Sequence, residues 1–178
     1  MTTAIDELLL SAAEVEIQAA GKPPSVTIVA YTGGLMPVPG WGPVVIDLAG
    51  IDASAEQVGI LADHDATLKG IVGHGKAVVA SGRLLVQGTI TPSTEAARQV
   101  VELARAGFRF QASVGVTPSD YERVRPGEQV QVNSRAIKAP ASGFTLVKAS
   151  VLKEVSIVAI GADANTSVAI AANAKEMV

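Results

Sequence analysis

The chain reads as an α+β domain made mostly of strands, and three observations predict this. Its 178 residues are enough for one domain with a sizeable core. Its apolar residues are chiefly Ala, Val, Ile and Leu, with three Phe, two Tyr and one Trp, so small and β-branched side chains must do the packing. Short apolar runs punctuated by Gly, Pro and Ser recur along the chain, while a single stretch carries a clear helical period.

The elements follow in order. Residues 1–13 are expected to be an N-terminal arm, with a short helical turn over 4–13. EVEIQA alternates; GKPP interrupts it; SVTIVAY is a strand. TGGLMPVPGWGP, dense in Gly and Pro, is a loop. VVIDLAGI is a strand, ASAEQ the start of a helical turn, and VGILA a short apolar run leading into DHDATLKG. GIVGHGKAVVA and RLLVQGTI are two strands joined at Ser81-Gly82, a hairpin signal. TPSTEAARQVVELARAG is the clear helix. Thr91 is its expected cap, Pro92 its first residue, and Glu95 suits the dipole. Ala97, Val100, Val101 and Ala104 share one face, and Gly107 closes it as a left-handed cap.

FRFQASVGV then alternates strictly. Phe108, Phe110, Ala112, Val114 and Val116 are expected on the core face, with Arg109, Gln111, Ser113 and Gly115 on the other. Residues 117–143 are polar and irregular, a loop or a short hairpin, and a loop of that length is ordinarily functional or mobile. GFTLVKAS and LKEVSIVAIG are two further strands, and NTSVAIAANAKEMV is a weakly structured tail. The expected organisation is an arm over 1–13, a domain over 14–170 and a tail or linker over 171–178.

Charge and composition exclude several functions. The net charge is −3 and no Lys/Arg cluster occurs, so nucleic acid is not an expected partner. No stretch reaches the roughly 18 apolar residues of a membrane helix, and the N-terminus MTTAIDELLL lacks a basic start. With no cysteine, thiolate catalysis, disulfides and cysteine zinc sites all fall away, which favours a cytosolic setting.

There are two histidines, His64 and His74, so histidine chemistry must run through one of them. Asp63, His64 and Asp65 are consecutive, and on a strand their side chains diverge rather than converge on an ion; no metal or other cofactor is expected. Serine acyl transfer is the better candidate. It needs a nucleophile, a base within reach, a group orienting the base and donors for the oxyanion. Ser113 faces away from the core with side-chain-free Gly115 two residues on, and His64 ends an apolar run in a polar turn. There is no GxSxG, which excludes an α/β-hydrolase elbow. The blander readings are a solvated strand serine, a surface histidine at 64 and a structural or exposed histidine at 74. Glu154, in LKEVSIV, shares a strand face with Leu152, Val158 and Ile160 by alternation. A carboxylate among apolar neighbours needs a partner, such as His64⁺ or an arginine.

At three places the sequence resembles tailed-phage prohead (capsid-maturation) proteases. ILADHDATLKGIVG resembles their first motif, RLLVQGTI with the helix and FRFQASVGV their second, and LKEVSIVAIGADANTSV their third. Together the motifs span roughly residues 55–170. The family is similar in fold to the herpesvirus assemblins, which implies a β-barrel-like antiparallel or mixed sheet with a few surrounding helices. The resemblance also implies a serine endopeptidase with Ser113 as nucleophile, His64 as general base and Glu154 as third member. The implied oxyanion donors are backbone N–H groups near Val114 and Gly115, or Arg109. Implied substrates are scaffold segments, capsid-protein arms and the enzyme itself, inside an immature capsid in the host cytoplasm. The competing expectations are a catalytically silent capsid-associated module on the same barrel and, further off, a sugar- or peptide-binding β domain.

Overall fold

The computed structural model describes residues 22–171; the expected arm, the EVEIQA strand and residues 172–178 lie outside them. The apolar runs become strands: β1 (Ser25–Tyr31), β2 (Met36–Val38), β3 (Gly42–Ile46), β4 (Ile51–Asp52), β5 (Val58–Ala62), β6 (Ile71–Ala80) and β7 (Arg83–Ile90). The one α-helix among the described residues, α1 (Glu95–Arg105), follows. Then come β8 (Gln111–Val124), β9 (Gln129–Val132), β10 (Arg135–Lys138), β11 (Phe144–Val158) and β12 (Ser167–Ala171). Ten strands form one mixed sheet in the order β12-β1-β7-β6-β5-β11-β3-β2, with β4 and β8 also on β11. The sheet curls into a half-barrel. A mixed, barrel-like sheet is thus present, but surrounding helices are fewer than expected.

The long β11 organises the sheet. It pairs in parallel with β3, β4 and β5 and antiparallel with β8. The main core fills the inner face, where Ile28, Ile60, Val72, Leu84, Val86, Ile90 and Val155 are fully buried. A second, smaller core lies on the other face, where Phe144, Leu146, Val45 and Val124 are covered by Val132 and Ile137 of the separate β9–β10 hairpin. Asn133 at the tip of that hairpin pins it to the sheet, accepting from Leu48 N–H (2.8 Å) and donating to Gly33 (3.0 Å) and Ile46 (2.8 Å) carbonyls. Side chains join β8 to the segment before β12: Gln111 donates to the Ala164 carbonyl (3.0 Å) and accepts from Gly161 N–H (2.7 Å). Buried Thr166 Oγ1 accepts from Ala112 N–H (2.9 Å) and lies 3.1 Å from the Ala112 carbonyl.

Several expectations need correction. Residues 117–124 are strand, not loop: they continue β8 against 144–151 of β11, whose ladder satisfies the backbone while the polar side chains face water. Residues 144–158 form one bulged strand rather than two. Residues 167–171, expected as tail, pair with β1 from Ser25↔Ala171 to Val29↔Ser167. The stretch ASAEQ has no helical turn, and β2 interrupts the Gly/Pro loop. Thr94, not Thr91, caps α1: its Oγ1 accepts from Ala97 N–H (3.1 Å) and donates to the Ile71 carbonyl (2.6 Å). Thr91 N–H is bound to the Val72 carbonyl at the end of the β6–β7 ladder, and residues 92–94 then turn the chain off the sheet before the helix begins. Phe108 is exposed rather than core. It and Phe110 precede β8 and pack edge to face at 4.8 Å beside the cleft under α1.

Candidate active site

The site starts from a strained turn. Ala62 and Asp65 close a β-turn (Asp65 N–H to Ala62 carbonyl, 2.9 Å) whose central residues Asp63 (φ 50°) and His64 (φ 59°) are both left-handed. This is the type I′ pattern, and Asp and His are among the few side chains that tolerate it. The polar turn expected at the end of this apolar run is therefore a tight one, closed within Ala62–Asp65. Each such residue costs about 1–2 kcal/mol in backbone energy, and hydrogen bonds from elsewhere hold it. Asp63 N–H extends the β5–β11 ladder to the Ile157 carbonyl (3.1 Å), and His64 N–H donates to Ser156 Oγ (3.0 Å).

The turn aims the imidazole at β11. His64 Nδ1 lies 2.7 Å from Glu154 Oε1. The other carboxylate oxygen, Oε2, accepts from Ser156 Oγ at 2.6 Å. The pair is graded in burial: the His64 side chain is 46 % exposed and that of Glu154 16 %. Glu154 thus has a histidine partner, though not in the apolar row where alternation put it. Its placement differs from simple alternation. A bulge between Leu152 and Glu154 turns Leu152 into the main core and Glu154 to the opposite face.

β8 brings Ser113 to the same face. Ser113 pairs with Ser156, and Gly115 with Glu154, while Ala112↔Ile157 and Val114↔Val155 face the core. Directly paired side chains in an antiparallel ladder lie about 4.5–5.5 Å apart at Cβ, so Ser113 stands beside the Ser156–Glu154–His64 chain. Ser113 is half-buried, and its hydroxyl has no hydrogen bond among the described residues. Ser156 is fully buried, with its hydroxyl spent on Glu154 and His64. Of the two serines, Ser113 is the one whose hydroxyl is unengaged.

Ser156 was not anticipated. The signal was present, since a Glu-x-Ser spacing puts both side chains on one strand face. His74 is exposed on β6 and pairs with Gly59, which itself pairs with Glu154. His74 shares the row of Glu154 but lies across the whole of β5, without a hydrogen bond to it. Arg109 is exposed in the link between α1 and β8 and contacts neither Ser113 nor Glu154 by hydrogen bond or ion pair. A cleft of about 440 Å³ borders the turn from the other side. Asp63, Asp65, Leu103, Phe108 and Phe110 line it, and Ile157 of β11, with Ala159 just beyond the strand, has the opposite parity to Glu154 and Ser156.

No described helix is long and apolar enough to cross a membrane. Comparison of the chain with protein-family models, curated proteins and solved structures finds no match.

Proposed function

We propose that the chain is a serine endopeptidase of the capsid-maturation type, with an assemblin-like barrel and Ser113, His64 and Glu154 as its catalytic groups. The observation that carries this reading is the 2.7 Å contact of His64 Nδ1 with Glu154 Oε1, made on the face that also presents the unengaged Ser113 hydroxyl. With Nδ1 occupied, Nε2 is the ring nitrogen left to accept a proton.

The mechanism follows from that division. Ser113 Oγ attacks a peptide carbonyl, forming the C–O bond as its proton passes to His64 Nε2. Glu154 orients the ring and stabilises its cationic form. The proton then goes to the leaving amine as the C–N bond breaks, and water releases the acyl group from Ser113 by the same route. Ser113 and His64 are not hydrogen-bonded to each other here; such bonds tighten when substrate is bound. Scaffold segments, capsid-protein arms and the chain itself are the proposed substrates, inside an immature capsid.

A fluorophosphonate probe and a peptide panel test the reading. Labelling and cleavage are expected at and through Ser113, lost in Ser113→Ala and His64→Ala and reduced in Glu154→Gln. Cleavage that persists in Ser113→Ala overturns it. Damage from His74→Ala that far exceeds that from Glu154→Gln removes Glu154 from its role.

A further inference from the structure

The glycines of the sheet fall into two kinds. At Gly73, Gly75 and Gly88 an added Cβ would run into a backbone carbonyl of the neighbouring strand, at 2.0, 2.4 and 2.1 Å, so close strand packing explains them. Gly115 is different. The three atoms nearest to its added Cβ all belong to the Glu154 side chain: Oε1 at 2.3 Å, Cδ at 2.9 Å and Cγ at 3.0 Å. Oε1 is the oxygen that holds His64 Nδ1. The carboxylate therefore lies over a bare patch of β8.

That choice of side is informative. Gly59, the partner of Glu154 on β5, is equally bare, and a Cβ there meets only Leu61 Cδ2, at an ordinary 3.9 Å. Glu154 leans toward β8 even though room exists over β5. Its second oxygen is fixed by Ser156 Oγ on the same strand, so the two carboxylate oxygens leave one orientation that also reaches the imidazole.

We infer that Gly115 is a positioning residue: the missing side chain is the seat of the Glu154 carboxylate, and filling the seat disconnects Glu154 from His64. The inference rests on the catalytic reading for its effect on rate, but not for its effect on the ring. The added methyl meets the end of a flexible side chain rather than backbone, so Gly115→Ala leaves the strand pairing intact and displaces the carboxylate. Four proteins test it: wild type, Gly115→Ala, Glu154→Ala and the double variant, with Gly59→Ala as the control for adding a methyl on the other flank.

The first readout is the His64 ring by ¹⁵N NMR, which needs no activity. The Nδ1 signal of a proton shared with Glu154 is expected in wild type and Gly59→Ala, and is expected to be lost in both Gly115→Ala and Glu154→Ala. The second is peptide cleavage. Gly115→Ala and Glu154→Ala should each lower kcat by about 10²-fold, and the double variant should match Glu154→Ala within about twofold, because the methyl then has no carboxylate to displace. A Gly115→Ala protein that keeps the wild-type ring signal overturns the inference. So does a double variant slower than Glu154→Ala by the full Gly115→Ala factor, since the methyl would then be obstructing substrate beside Ser113. If wild type cleaves nothing, the endopeptidase reading fails while the ring signals still decide the role of Gly115.

Discussion

Replacing Ser156 with Ala separates the group that builds the site from the group that reacts in it. The Ser156 hydroxyl is fully buried, accepts from His64 N–H at 3.0 Å and donates to Glu154 Oε2 at 2.6 Å. Its removal leaves the N–H of a left-handed residue without its partner, at about 1–3 kcal/mol. It also takes a hydrogen bond from a carboxylate, of a kind that contributes about 1.5–3 kcal/mol. Both bonds use one oxygen and the carboxylate keeps some contact with water, so the two losses overlap rather than add. The expected loss is about 2–3 kcal/mol, or roughly 4–12 °C in Tm for a domain of this size. Urea unfolding measures it as a lower midpoint with an unchanged m-value. A loss under about 0.5 kcal/mol would refute the claim that this hydroxyl holds the turn. Cleavage by Ser156→Ala should continue at a reduced rate. If cleavage instead vanishes in Ser156→Ala and survives in Ser113→Ala, the nucleophile has been assigned to the wrong strand.

Two further predictions concern backbone and burial. At left-handed Asp63, Gly should raise the urea midpoint by about 0.5–1 kcal/mol of stability, and Val should lower it by about 1–2 kcal/mol while moving His64 off Glu154; equal midpoints for the two variants would mean that the turn is not under strain. Tyr31 is buried, donates to the Gly34 carbonyl and accepts from Ile46 N–H at 3.1 Å. Burial holds its phenol well above the ordinary range. Its share of stability is therefore complete below the unfolded value of about 10 and declines above it, by up to about 1.4 kcal/mol per pH unit. Tyr31→Phe should be less stable near neutrality and lose less between pH 10 and 12; parallel alkaline profiles would show that Tyr31 ionises as freely in the fold as out of it.

Local signals carried much of this fold. SVTIVAY, the Ser81-Gly82 hairpin and the helix ending at Gly107 each appear where short-range propensity and turn chemistry put them. What escaped was set by distant partners. The polar stretch over 117–124 becomes strand because β11 lies beside it, and the bulge that sends Leu152 and Glu154 to opposite faces is a property of that pairing. The α1 cap lies at Thr94 because a turn over 92–94 separates the sheet from the helix and lets Thr94 Oγ1 also reach the Ile71 carbonyl. For the site, the cost of a carboxylate among apolar residues pointed from Glu154 toward a partner such as His64, and alternation placed Ser113 outward. Two consecutive left-handed residues at 63 and 64 left no mark in the sequence, since neither is Gly.

The parallel pairing of β5 with β11 also sets a timetable. His64 and Glu154 are 90 positions apart, and the strand that joins their elements is next to last in the described chain. A ribosome making this protein releases His64 and Ser113 well before Glu154 and Ser156, and until β11 arrives β5 lacks its parallel neighbour and β8 the strand it pairs with. Contacts this far apart in sequence form late and slowly. Under the endopeptidase reading, the growing polypeptide carries nucleophile and base without the strand that aligns them, and it stays inert toward its neighbours until β11 has been made.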